Sequence, residues 1–139
     1  MTNAELILEA KKARERAYVP YSHHSVGAAL VTKSGKIYHG CNIENAAYGP
    51  SNCAERTAFF RAVYEGEREF AKIAIVGGME GSDGNAPCAP CGVCRQVMME
   101  FCDPETFKIV LADGEDGQSE YTLKEMLPLG FGPDNLDKP

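Results

Sequence analysis

Apolar and polar positions change their period along the chain, and each change marks an element. Thr2, followed three positions later by Glu5, has the pattern of a capping box, and Leu6, Ala10, Ala13 and Ala17 then recur at helical spacing. This predicts a first helix that runs until Pro20 stops it. From Val26 to Val31 and from Ile37 to Ile43 the chain is strand-like, and the polar KSGK between them is a turn signal, which predicts a β-hairpin. After the loop NAAYGPSN, the stretch from Cys53 to Glu65 carries Ala54, Ala58, Ala62 and Val63 on one side and closes at Gly66, the pattern of a buried helix. KIAIVGG and FKIVLAD are short continuous apolar runs that suit central strands covered on both faces. Between them lie a Gly-rich loop, GGMEGSDGNAP, and a helical pattern of Val93, Val97, Met98 and Phe101 that ends before Pro104. Strand, helix, strand in that order implies a right-handed crossover and a parallel pair. EYTLKEML predicts one further, weaker strand or helix, and a polar tail follows Gly132. The fold class is therefore α/β, a mixed sheet between layers of helices in a three-layer αβα sandwich.

A length of 139 residues allows one domain with a real core, spanning 1–139, and is short for two. With 44% hydrophobic and 24% charged residues the composition is that of a globular protein rather than a disordered or membrane chain. No apolar run approaches the roughly 20 residues of a membrane helix, and Glu5 and Glu9 interrupt the N-terminus where a signal peptide would be apolar. No membrane partner is expected, and a cytoplasmic, reducing location is the default. There, the six cysteines (Cys41, Cys53, Cys88, Cys91, Cys94 and Cys102) point to metal or redox chemistry rather than to disulfides. The net charge is -6, with 20 acidic against 14 scattered basic residues, which argues against a nucleic-acid partner.

Two short motifs each open a predicted helix: CAER at Cys53 and PCGVCR at Cys91. At a helix N-terminus, unpaired amides and the macrodipole favour negative charge, lower a thiol's pKa and improve it as a zinc ligand. Structural zinc usually has four protein ligands, whereas catalytic zinc keeps three and an open position. PCAPCGVC contains two overlapping C-x-x-C pairs, Cys88 with Cys91 and Cys91 with Cys94, and spacing alone does not choose between them. With Cys53, Cys91 and Cys94 as ligands, an open position would face Glu55; C-x-E followed by P-C-x-x-C is a form of the zinc deaminase signature.

Together with VPYS, VGAAL, GCNIENAAYGPSNCAERTA, PCGVCRQVMMEF and LPLGFGPDNL, these motifs cover most of the chain and resemble the small, homotetrameric class of zinc-dependent cytidine deaminases. The resemblance implies hydrolysis of cytidine and deoxycytidine to uridine and deoxyuridine plus ammonia, as in pyrimidine salvage. It implies one zinc ion per subunit on Cys53, Cys91 and Cys94, attack by zinc-bound hydroxide, and Glu55 as the proton shuttle. It further implies that Asn42 and Glu44 bind the ribose and that His24 and Ala54 lie at the substrate. Arg56 would pair with the thiolates and offset their charge. Tyr48 and Phe131 would lie at subunit boundaries, with Phe131 reaching a neighbour's base in active sites shared within a homotetramer. Cys88 is left as a bystander, while Cys41 and Cys102 read as core-packing thiols.

The chain departs from the family in two places. The family commonly has Phe then Pro after PYS, where this chain has His24 and Ser25; the loop from Gly77 to Pro87 is a few residues longer than usual. Three rivals share some features. A related aminohydrolase of the blasticidin S type is disfavoured by Asn42 and Glu44. A deoxycytidylate or nucleic-acid deaminase is disfavoured by Cys53 as first ligand and by the acidic balance. A non-catalytic zinc module closed by Cys88 would leave Glu55 without a role.

Overall fold

The structure, a computed structural model, describes residues 1–136; the last three residues of the expected domain lie outside the described residues. In chain order the elements are α1 (Asn3–Arg14), β1 (His24–Thr32), β2 (Ile37–Cys41), α2 (Ala54–Tyr64), β3 (Phe70–Met79), α3 (Gly92–Phe101), β4 (Lys108–Ala112), β5 (Gln118–Thr122), α4 (Leu123–Met126) and a 3-10 turn at Pro133–Leu136. The strands form one sheet in the order β2-β1-β3-β4-β5. β1 pairs antiparallel with β2 and β3, β3 pairs parallel with β4 as the crossover predicts, and β5 closes the far edge antiparallel to β4.

Alternation along the strands sorts side chains onto two faces. Ala28, Leu30, Ile73, Ile75, Ile109 and Leu111 point to the face covered by α2 and α3, where Phe59, Cys94, Met98, Phe107 and Leu123 complete the main core. Ala29, Ala74, Val76, Val110 and Ala112 point to the other face and pack on Leu6, Ile7 and Ala10 of α1. The expected three-layer αβα sandwich with a mixed sheet is thus the observed one.

The helices begin and end on recognisable signals. Thr2 caps α1 by accepting the Glu5 amide at 3.1 Å. At the C-terminus of α2, Gly66 has a positive φ of 97°, its amide bonds Val63 O, and the Glu67 amide bonds Ala62 O, forming a Schellman motif. Thr122 and Glu125 form a reciprocal capping box at α4.

Three sequence expectations are corrected. The first helix ends at Arg14, not at Pro20, because the Arg16 and Ala17 amides tighten onto carbonyls three residues back and Tyr18 is drawn into a bridge with Ile43. Pro20 contributes by disfavouring a helical Val19. The hairpin's second strand stops at Cys41, since Asn42 turns its side chain onto β1 and Ile43 bridges to Tyr18 and Asn52 instead. EYTLKEML is both a strand end and a short helix, divided at the Thr122 cap.

Topology places the functional end. β2 and β3 both run antiparallel to β1, so their C-terminal ends and the N-terminal end of β1 lie at one edge of the sheet, with Gly27 opposite Cys41 and His24 opposite Met79. The chain leaves β2 and β3 at that edge and enters α2 and α3 there, which brings both helix N-termini together. Gly40 sets how closely α2 approaches: a Cβ there would stand 2.3 Å from the Ala54 carbonyl oxygen and 2.5 Å from the Ala58 amide. Gly40→Ala is therefore expected to lower stability by about 1–3 kcal/mol, read as a lower denaturant midpoint with an unchanged m-value.

Candidate active site and metal centre

Cys53 is the N-cap of α2, Cys91 is the N-cap of α3, and Cys94 lies in the first turn of α3. Their sulfurs all lie within 4.8 Å of one another, with Cys53 Sγ 3.7 Å from Cys91 Sγ. No other group of three or more Cys, His, Asp or Glu among the described residues is so arranged. The helix ends hold the cluster open: Cys91 Sγ accepts the Cys94 amide at 3.5 Å, while Cys53 makes no capping bond to its own helix and instead accepts from Arg56 Nη2 at 3.2 Å. The Thr57 hydroxyl donates to Cys53 O, and Arg95 donates to Pro90 O at 2.8 Å and to Met126 O at 2.6 Å, fixing the turn that delivers Cys91.

The sulfurs are not electrically equivalent. A hydrogen bond from Cys94 and, after the opposing effect of burial, the guanidinium of Arg56 bring the Cys53 thiol down to about 5. Cys94 is pushed up by its hydrogen bond to Cys53 and by burial. Glu55, the next residue but one after Cys53, is only 4% exposed, and burial, reinforced by the charge on Cys53, pushes its carboxyl up to about 7. A carboxyl near neutrality populates both of its protonation states, as proton transfer requires.

The donor set fits zinc. Two sulfurs about 2.3 Å from one tetrahedral zinc ion lie roughly 3.8 Å apart, close to the 3.7 Å between Cys53 and Cys91. Arg56 turns its guanidinium to the sulfur cluster through Nη2, while its buried Nε has no hydrogen-bond partner. A guanidinium in that position would offset part of the excess charge of three thiolates on a divalent ion.

The sulfurs and Glu55 open into a cleft of about 280 Å³, lined also by Ser22, His24, Val26, Asn42, Glu44, Ala54, Cys88 and Ala89. The structure therefore brings together Cys53, Cys91, Glu55, Ala54, Asn42, Glu44 and His24, as the sequence predicts, with Cys94 buried behind them. Asn42 straddles β1: Oδ1 accepts the Val26 amide at 2.8 Å and Nδ2 donates to His24 O at 2.9 Å. Glu44 Oε1 accepts the Tyr21 and Ser22 amides, both at 3.1 Å, and Oε2 accepts the Ser22 hydroxyl in a short contact. The Ser22 hydrogen bonds hold its carboxyl below the usual carboxylate range.

Tyr48 and Phe131 lie outside the cleft. Tyr48 is 74% exposed, has a φ of 61° and meets Tyr21 edge-on; Phe131 is 56% exposed and is tied to Gln96 through its carbonyl. Cys88 lines the cleft yet stands outside the sulfur cluster, in the space left by the missing side chain of Gly77. Cys102 packs against the main core as expected, but Cys41 does not: it is half-buried beside Arg16, His39 and Arg61 in a surface groove, because it alternates with the inward-facing Gly40. Sequence reasoning missed Ser22, Ala89 and Arg95. PYS and CRQ carry Ser22 and Arg95 in plain sight, but no spacing reveals that one grips Glu44 and the other Pro90.

The family described as "Cytidine and deoxycytidylate deaminase zinc-binding region" matches residues 1–110. A cytidine deaminase of Sporosarcina psychrophila is 51% identical over 132 residues, covering 95% of this chain and 93% of that one. A cytidine deaminase of Halalkalibacterium halodurans is 47% identical over 137 residues, covering 99% of each. Among solved structures, the crystal structure of cytidine deaminase from Burkholderia pseudomallei superposes with a TM-score of 0.84 at 52% identity, covering 94% of this chain and all of that one.

A site built on three sulfurs makes different demands on the four nearby cysteines. Cys94→Ser is expected to lose most of its bound metal, whereas Cys88→Ser keeps the wild-type content, measured as zinc per chain by inductively coupled plasma mass spectrometry on purified protein.

Proposed function

The chain belongs to the cytidine deaminase family, and on that premise we propose that it hydrolyses cytidine and deoxycytidine to uridine and deoxyuridine with release of ammonia, in pyrimidine salvage. The observation that carries this reading is the burial of Glu55 beside a cluster of cysteine sulfurs, in a cleft whose opposite wall is Asn42 and Glu44. Cys53, Cys91 and Cys94, whose sulfurs gather beside Glu55, would hold one zinc ion per subunit. Zinc, when bound there, supplies a Lewis acid that makes water a nucleophile near neutral pH.

The remaining chemistry falls to side chains of the chain. Glu55 takes a proton from the nucleophilic water and gives it to the pyrimidine ring nitrogen as carbon 4 is attacked. It then carries a proton to the departing amine, so that ammonia leaves and the carbonyl of uridine forms. Burial suits it to this role, because a carboxyl near 7 gives up and takes back a proton at little cost. Arg56 stays on the sulfurs and tunes the metal rather than touching substrate.

Asn42 and Glu44 are suited to a ribose by what their hydrogen bonds leave free. Glu44 uses one of the two acceptor positions of Oε2 and both of Oε1, and Asn42 keeps one N–H and one lone pair. A carboxylate acceptor beside an amide matches a sugar hydroxyl, which both donates and accepts. His24 and Ala54 border the space for the base.

The exposed Tyr48 and Phe131, with Leu129 fully exposed beside the latter, suit a cytoplasmic homotetramer of single-domain subunits in which both aromatics lie at subunit boundaries. Among the described residues no helix is long and apolar enough to cross a membrane, and the acidic balance leaves a small nucleoside, not nucleic acid, as the substrate.

Zinc-loaded protein is expected to abolish cytidine's characteristic ultraviolet absorbance with release of ammonia. Glu55→Gln lowers kcat by about 10²–10⁴-fold while retaining zinc; full activity in that variant contradicts the shuttle. Glu44→Ala raises KM for cytidine more than it lowers kcat, read from steady-state kinetics.

A further inference from the structure

Gly27 of β1 sits so close to α1 that a Cβ would stand 2.1 Å from the Ala10 carbonyl oxygen and 2.3 Å from the Arg14 amide. This contact presses the last turn of α1 onto the sheet at the strand end that forms the cleft wall. From there Arg14 reaches two segments at once. Its Nε donates to Ser25 O at 3.0 Å and to Ser25 Oγ at 2.9 Å. Its Nη1 donates to Ser82 O at 2.9 Å, and its Nη2 to Gly78 O, Met79 O and Ser82 Oγ at 3.0, 2.8 and 2.9 Å. Gly84 closes over the guanidinium, since a Cβ there would come within 2.7 Å of Nη1.

The alternation of β1 decides what this clasp controls. Ser25 faces α1, so its neighbours His24 and Val26 face the cleft, and both line it. Asn42 grips the same two residues from the cleft side, through His24 O and the Val26 amide. One strand end is therefore held through the sheet, by Arg14 on one face and by Asn42 on the other. The loop that Arg14 gathers is tied to the other wall as well. The Glu80 amide donates to His23 O at 2.7 Å, and the Glu80 carboxylate meets His23 Nδ1 at 3.0 Å. His23 adopts a left-handed φ of 57° between Ser22, which holds Glu44, and His24.

We propose that Arg14, through Ser25, the end of β3 at Gly78 and Met79, and the loop from there to Gly84, is a positioning residue for the nucleoside-binding wall of the cleft formed by His24, Val26, Asn42 and Glu44. It touches no substrate. A planar fork of five N–H donors can serve carbonyls on two segments at once, which an ammonium cannot reproduce. The segment from Gly77 to Pro87, expected as a loop, continues β3 as far as Met79 and acquires a role, since Gly78, Met79 and Ser82 supply the carbonyls that complete the clasp.

This inference rests on the nucleoside-deaminase reading, and the test separates the two. Zinc-loaded wild type and Arg14→Met are compared in steady-state deamination of cytidine, together with zinc content and amide hydrogen exchange at Val26. Loss of the clasp is expected to raise KM about tenfold with kcat within about twofold, zinc per chain unchanged, and faster exchange at Val26. Arg14→Lys does not restore KM. An unchanged KM, or a fall in kcat that follows loss of zinc, overturns the proposal. If Arg14→Met fails to fold, Ser82→Ala, which removes one acceptor of the clasp, is expected to raise KM about threefold, and an unchanged KM there overturns it equally. If zinc-loaded wild type does not deaminate cytidine, the function reading fails by itself. Exchange at Val26 then decides the clasp alone: faster exchange in the variant supports it, and an equal rate contradicts it.

Discussion

Sulfurs of Cys53, Cys91 and Cys94 gathered within 4.8 Å cannot all carry charge side by side unless cations face them. The hydrogen bond from Cys94 and the guanidinium of Arg56 supply part of that compensation and lower the Cys53 thiol, while Cys94 is pushed up. A metal ion would supply the remainder; its binding needs deprotonated thiols and releases their protons. Glu55 is bound to the same constraint. It is buried in the first turn of the helix that Cys53 caps, and burial pushes its carboxyl up to about 7 beside the sulfurs.

The sheet exists, for this site, to put two helix starts at one edge. β2 and β3 run the same way on either side of β1, so the chain leaves both at that edge and opens α2 and α3 there. Gly40 lets α2 lie close enough for Cys53 to reach the sulfurs of α3, and Arg95 holds the Pro90 turn that brings Cys91 to meet it. The antiparallel β1 between them contributes its N-terminal end, where His24, Val26 and Asn42 form the wall that faces the sulfurs. The sulfur cluster, Glu55 and the facing cleft wall are thereby assembled at a single edge, while the packed core lies behind them.

How far this was legible in the sequence depends on the range of each interaction. The buried strands, the parallel crossover and both cysteine-capped helices follow local patterns of period and capping, and the structure has them. CAER and PCGVCR signal a sulfur cluster because each motif fixes its cysteines at a helix start. The end of α1 was not legible: Ala17 continues the helical spacing, but Tyr18 is claimed by a bridge to Ile43, a long-range pairing that periodicity does not register. For the same reason NIEN shows Asn42 and Glu44 without showing that Val26, His24, Tyr21 and Ser22 hold them. Nothing in the sequence sets Arg14 apart, and only the close approach of α1 at Gly27 places its guanidinium behind the cleft wall.

The proposed chemistry turns on a metal held by three sulfurs with one position left open towards Glu55. Zinc-edge X-ray absorption on the purified, metal-loaded protein tests that directly. Three sulfur scatterers at about 2.3 Å and one oxygen or nitrogen at about 2.0 Å are predicted. Four sulfurs, with Cys88 closing the site, would contradict it and leave Glu55 with no water to act upon.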